Sequence, residues 1–179
     1  MIGNFIADSV KGKKYETFPP EIQKGILMHR AIDFFTDTHP MARKTAARFR
    51  PRFSKYAPVL VDVVYDHFLA ANWHQHHDMP LPEFATYAYS IMENNLRFIP
   101  EKTAFMLSHM ARQNWLLSYA EIAGIERALQ GMSKRTLHPT QLYLAIEELT
   151  EQYEEIKTEW QGFFSEAKLK FPEFKKKAE

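Results

Sequence analysis

Gly25-Ile26-Leu27-Met28-His29-Arg30-Ala31-Ile32-Asp33-Phe34-Phe35-Thr36-Asp37 is the stretch whose reading decides the fold. Stepping about 100° per residue, as an α-helix does, places His29, Asp33, Thr36 and Asp37 on one side, with Arg30 at its edge. Leu27, Met28, Ala31, Ile32, Phe34 and Phe35 fall on the other side, which is expected to face a core. A stripe that merely met water would be filled with Lys, Glu, Gln and Arg. His, Asp and Thr are poor mid-helix residues with short side chains that suit ligation.

The same three-and-four spacing runs through the rest of the chain, and no period-2 run bounded by turn residues interrupts it, so the fold class is all-α. Prolines punctuate the pattern and predict helices over 20–38, 40–50, 58–77, 81–98, 101–130 with a break near Tyr119, and 138–168. With 179 residues, no internal repeat and no Gly/Ser-rich linker, one helical domain over 1–179 is expected, with residues 168–179 as a frayed tail. A composition of 45% hydrophobic and 14% aromatic residues excludes disorder and low complexity. Cys is absent, which removes disulfides, thiolate metal sites and cysteine nucleophiles; any metal must be held by His, Asp or Glu.

No run of about 18 apolar residues is present, and an acid, Asp8, stands where a signal peptide would be basic and then apolar, so a cytoplasmic protein without membrane partners is expected. The net charge of +1 argues against a dedicated nucleic-acid binder. That balance conceals one asymmetry. Between Thr38 and Val61 no acid occurs, while Arg43, Lys44, Arg48, Arg50, Arg52 and Lys55 are all positive. Such a segment suits an acidic partner, a phosphate group or nucleic acid, or is simply a solvated basic helix.

Three groups bear on chemistry. His29 and Asp33, at i and i+4, lie over one turn with about 6 Å of rise, close enough to bind one divalent cation. Asp37, roughly 12 Å from His29 along the axis, would serve a second ion, orient a water or hold a cation such as Arg30. The second group is Val59–Leu69, where eight of eleven residues are apolar or aromatic and Asp62 and Asp66 share a face. Buried carboxylates require an Arg partner or a metal; Asp62 leaves both open, and Asp66 with His67 favours metal. The third, Asn72–Asp78, holds His74, His76, His77 and Asp78 and reads as an exposed polar helix end. His109 and His138 read as ordinary surface or cap residues.

Three strings, Ile2-Gly3-Asn4-Phe5-Ile6-Ala7-Asp8-Ser9-Val10-Lys11-Gly12, Gly25–Asp37 and Tyr65-Asp66-His67-Phe68-Leu69-Ala70-Ala71-Asn72-Trp73, resemble the acyl carrier protein phosphodiesterase family in order and spacing. The resemblance implies an all-helical bundle distantly similar to the HD-domain phosphohydrolases, although Asp66-His67 reverses the His-Asp order of those proteins. Family members carry a stretch resembling Asn-Phe-Leu-Ala-His ahead of the Gly-Asn motif at which this sequence begins. The resemblance further implies a divalent metal, manganese or magnesium, and removal of 4′-phosphopantetheine from holo-acyl carrier protein, with Asp8, His29, Asp33, Asp37, Asp66 and His67 as the polar set.

On that footing His29, Asp33 and Asp66 are the expected metal ligands, and Asp8 or Asp37 orients the attacking water. Arg30 or Arg43 clamps the phosphate, and His67 protonates the leaving serine oxygen. The basic segment, Arg48 and Arg52 included, docks the acidic carrier protein. Two other functions fit the same residues: hydrolysis of a nucleotide or small phosphate ester, and a non-catalytic module that binds an acidic partner.

Overall fold

The computed structural model describes residues 1–136 and 140–177, with side chains to Lys176; His138 lies outside them, as does the expected helix start at 138. Among the described residues there are ten α-helices and no strand, so the all-α expectation holds. They are α1 (Ile2–Ile6), α2 (Pro20–Thr38), α3 (Pro40–Phe53), α4 (Ala57–Ala71), α5 (Leu81–Glu93), α6 (Glu101–Gln113), α7 (Trp115–Ser118), α8 (Ile122–Ser133), α9 (Ala145–Glu151) and α10 (Tyr153–Lys177). No helix among the described residues is long and apolar enough to cross a membrane.

The chain divides into two compact units, each assembled from distant stretches. The first comprises Met1–Thr36, Pro82–Asn114 and the described residues from Glu166; the second comprises Asp37–Leu81 and Trp115–Ser165. In the first, Ile2, Ile6, Ile22, Ile26, Tyr89, Met92 and Leu107 are buried. Its last segment stays helical to Lys177, and Phe174, 5% exposed, sits 5.5 Å from Phe35 between ring centroids. The expected fraying from residue 168 is therefore corrected for the described part, because one aromatic side chain pins the helix. In the second unit α3 packs on α4, and Phe49, Leu60, Phe68, Ile125, Leu129, Leu149 and Ile156 form the core.

Proline stands at the start of five of the ten helices among the described residues, α2 to α6. Pro20 is the first residue of α2. His39, extended as a residue before proline tends to be, caps α3 by accepting from the Met41 N–H at 3.2 Å, and Pro40 opens that helix. The expected stop at 50 is passed: α3 continues through Pro51 to Phe53, because the proline falls in the last turn, where few ladder bonds remain to lose. A positive φ of 47° at Ser54 then breaks it. In the expected helix 101–130 the break near Tyr119 is present, between α7 and α8, and a second break falls at Asn114. Asn114, at φ 46°, ends α6 in the left-handed cap conformation, and Gly124 packs against the Ser118 carbonyl where α8 follows α7.

Candidate metal centre

The candidate site belongs to the first unit and starts from two glycines. Gly3 of α1 and Gly25 of α2 meet backbone to backbone: a Cβ on Gly3 would lie 2.1 Å from the Ile22 carbonyl oxygen and 2.9 Å from Gly25 Cα. Only residues without a Cβ permit that approach. Ile22 and Ile26, seven and three residues before His29 and so on its side of α2, are buried there. This reverses part of the sequence reading. The side of α2 that bears His29 is the one covered by α1, while Phe34, expected to face the core, is 69% exposed, and Leu27, Met28, Ala31, Ile32 and Phe35 are half-buried.

The close crossing brings the start of the chain onto the imidazole. Asn4 Oδ1 lies 2.7 Å from His29 Nδ1, and Asp8 Oδ1 lies 3.3 Å from His29 Nε2. One turn on, Asp33 Oδ2 lies 3.1 Å from the same Nε2. Asp8, His29 and Asp33 thus offer three ligand atoms within 4.8 Å of one another, the one such group of three His, Cys, Asp or Glu side chains among the described residues. His29 is 21% exposed at its side chain, against 87% for Asp8 and 53% for Asp33, so the carboxylates open to solvent while the ring is held from behind.

The electrostatics follow from this geometry. Hydrogen bonding to Asp33, then to Asp8, outweighs burial and raises the His29 pKa to about 9. The reciprocal hydrogen bond from His29 holds the Asp8 carboxyl below its ordinary value. A proton between two carboxylates occupies the place a cation would take. Two of the three separations also suit a divalent ion: ligands at right angles around bonds of about 2.1 Å stand roughly 3.0 Å apart, close to the 3.1 and 3.3 Å from His29 Nε2 to the two carboxylates. One imidazole with two carboxylates is a donor set suited to manganese or magnesium rather than to a thiophilic metal.

The other expected residues are placed as follows. Arg30 donates from one terminal nitrogen to the Val10 carbonyl at 2.6 Å, and its guanidinium lies 5.2 Å from the Tyr15 ring centroid, so it braces the 10–15 segment. Asp37, in the second unit, is exposed at the end of α2, and its carbonyl accepts from Arg43 Nε at 3.0 Å. Asp66 also lies in the second unit. It is exposed as a residue, and desolvation of its carboxyl raises the pKa to about 6. Asp62 is exposed rather than buried.

Two expectations, for His67 and Arg48, are corrected. His67 is 2% exposed, and both ring nitrogens are taken, Nδ1 by the Tyr119 carbonyl at 2.8 Å and Nε2 by the Tyr153 hydroxyl at 3.0 Å. Burial lowers its pKa, and it offers no proton to a leaving oxygen. Arg48 is spent inside the fold: its Nη2 lies 2.7 Å from Glu159 Oε1, and Glu159, 3% exposed, also accepts from the Thr45 hydroxyl at 2.7 Å. Arg52 is exposed and pairs at the surface with Glu147 at 2.6 Å and Glu148 at 3.0 Å. In the Asn72–Asp78 stretch the helix has already ended. His76 packs 4.8 Å from Phe164, and His77 stacks on Trp73 and accepts from the Met79 N–H.

Asn4 is the contact to His29 that the sequence reading missed. The signal for it was the pair of glycines at 3 and 25, each isolated in an apolar helical pattern, which marks a close backbone approach.

The profile of a family described as Acyl carrier protein phosphodiesterase matches residues 1–167. A protein named acyl carrier protein phosphodiesterase from Photorhabdus laumondii is 37% identical over 140 residues, covering 78% of this chain and 70% of its own length. Proteins of the same name from Enterobacter sp. strain 638 and Yersinia pestis are 34% identical over 165 residues (92% of this chain, 86% of the relative) and 36% identical over 136 residues (75% and 70%). No solved structure matches the chain.

Proposed function

The chain belongs to the acyl carrier protein phosphodiesterase family, and from that premise we propose that it hydrolyses the phosphodiester joining 4′-phosphopantetheine to a serine of holo-acyl carrier protein, with a divalent cation held by Asp8, His29 and Asp33. The observation that carries the metal part is the convergence of those three ligand atoms within 4.8 Å. A divalent cation, when bound, supplies positive charge for the phosphoryl oxygens and acidifies water.

The residues of this chain do the rest. His29, backed by Asn4, presents one ring nitrogen at a fixed angle. Asp33 is placed by the helical turn, and Asp8 by the α1 crossing. Asp8 reaches furthest into solvent and is positioned to orient a water toward the phosphorus. With Arg48 engaged inside the fold, Arg52 paired on the surface with Glu147 and Glu148, and Lys44 3.3 Å from Glu159, the other exposed positive charges of that segment for an acidic carrier protein are Arg43, Arg50 and Lys55.

Hydrolysis of a nucleotide or small phosphate ester is the second reading, because the metal cluster favours no particular alcohol. The test compares holo-acyl carrier protein with a panel of nucleotides and small phosphodiesters, with added Mn²⁺ or with chelator. Release of the prosthetic group only with Mn²⁺, lost in His29→Ala and Asp33→Ala chains that still fold, supports the proposal. Turnover of the panel with the carrier protein untouched moves the function to the second reading, and undiminished turnover in either variant removes the cluster from the chemistry.

A further inference from the structure

Asn4 is exposed, sits in the middle of a five-residue helix and is a poor helix former, so neither packing nor propensity accounts for it. Its side chain is spent on His29 Nδ1 at 2.7 Å, on the face of the ring away from Asp8 and Asp33. Two glycines are required to bring it there, since any Cβ at Gly3 or Gly25 would meet backbone at 3.0 Å or less. An imidazole that binds a cation through Nε2 carries its proton on Nδ1, and an acceptor on that proton fixes the ring's tautomer and orientation. Asp8 and Asp33 are acceptors facing Nε2, where a cation would replace the ring proton, and Asn4 is the acceptor placed to keep the other proton on Nδ1.

We propose that Asn4 is a positioning residue for the cation site: its Oδ1 accepts the Nδ1–H of His29, so that the ring turns the Nε2 lone pair toward a cation between Asp8 and Asp33. This rests on the metal reading above and adds a residue to it. The Gly3–Gly25 contact is the device that sets the acceptor at the right distance, which gives the opening Gly-Asn pair its purpose: the glycine makes the approach and the asparagine uses it.

The test measures Mn²⁺ binding by the electron paramagnetic resonance of free Mn²⁺ for the unaltered full chain and for Asn4→Ala, Asn4→Asp and His29→Ala, with melting in chelator to show that each folds. Loss of an outer partner of a metal-bound histidine weakens metal affinity by about 10–100-fold. The expected result is that loss in Asn4→Ala, with recovery in Asn4→Asp, which keeps an oxygen at the same reach. With Cu²⁺ as the probe, spin-echo modulation from the ring nitrogen remote from the metal should also change in Asn4→Ala, as it does when a hydrogen bond to that nitrogen is removed. Unchanged affinity and modulation in Asn4→Ala, while His29→Ala abolishes binding, overturns the role of Asn4 and leaves the metal site standing. A loss that Asn4→Asp does not recover also overturns it, because the acceptor is then not what matters. Wild-type binding in His29→Ala overturns the metal reading itself, and the Asn4 inference with it.

Discussion

Replacing Gly3 with alanine tests whether the α1–α2 crossing sets the site. The added methyl would lie 2.1 Å from the Ile22 carbonyl oxygen and 2.9 Å from Gly25 Cα, where ordinary contact begins at 3.4 Å. Both obstacles are backbone, so neither can rotate away, and α1 must lift from α2 by roughly 1 Å or more. Asn4 and Asp8 ride on that segment, so the lift opens the 2.7 Å and 3.3 Å approaches to His29 together. A misplacement of about 1 Å costs on the order of 10²-fold in rate. Overpacking of this kind costs about 1–3 kcal/mol, which for a chain of this length lowers the melting midpoint by about 2–12 °C. The assay is kcat/KM on holo-acyl carrier protein with Mn²⁺, with melting measured in parallel. Gly131→Ala is the control: nothing lies within 4 Å of its added methyl, so activity should stay unchanged while the helix gains about 0.5–1 kcal/mol. Wild-type kcat/KM and melting in Gly3→Ala would refute the reasoning.

Further expectations concern protons and charge. Because His29 titrates at about 9, a cation must displace its proton at neutral pH, and Mn²⁺ affinity should rise about tenfold per pH unit between 7 and 9, then level off; a pH-independent constant from titration calorimetry contradicts this. For Glu159, burial raises the pKa, but the bonds from Arg48 and Thr45 prevail and hold it below its ordinary 4.5; the stability it contributes is present above 4.5 and lost as pH falls through the depressed value. Arg48→Met leaves that carboxylate only Thr45 and the more exposed Lys44 and should cost about 1–3 kcal/mol at pH 7, with a smaller deficit in acid; urea unfolding at both pH values reads it, and an equal deficit at both contradicts it. Charge reversal at Arg50 and Lys55 should raise KM for the carrier protein and spare a small phosphodiester; equal effects on both substrates argue against docking there.

The sequence made the all-α class and the bounds of α2 legible, because Pro20 and the His39-Pro40 pair mark them chemically. His29 and Asp33 were legible as one site because a single helical turn joins them. Asp8 entered through the family resemblance, and nothing in local spacing could bring residue 8 to residue 29. Asn4 was hidden for a related reason: α1 is too short to carry a periodic signal and is placed by a glycine contact across more than twenty residues. Arg48 and Arg52 looked available in an acid-free stretch because the acids that claim them, Glu147, Glu148 and Glu159, lie about a hundred residues later. His67 next to Asp66 suggested shared chemistry, whereas the helix turns one side chain outward and the other into the aromatic core beside Phe68 and Tyr153.

The central claim is that Asp8, His29 and Asp33 hold one divalent cation. Crystals grown with Mn²⁺ and measured for anomalous scattering test it most directly. The account predicts a peak about 2.1–2.2 Å from His29 Nε2 and from one oxygen each of Asp8 and Asp33. A saturating Mn²⁺ concentration that yields no peak there, or a peak solely at another cluster such as His74–Asp78, would contradict it.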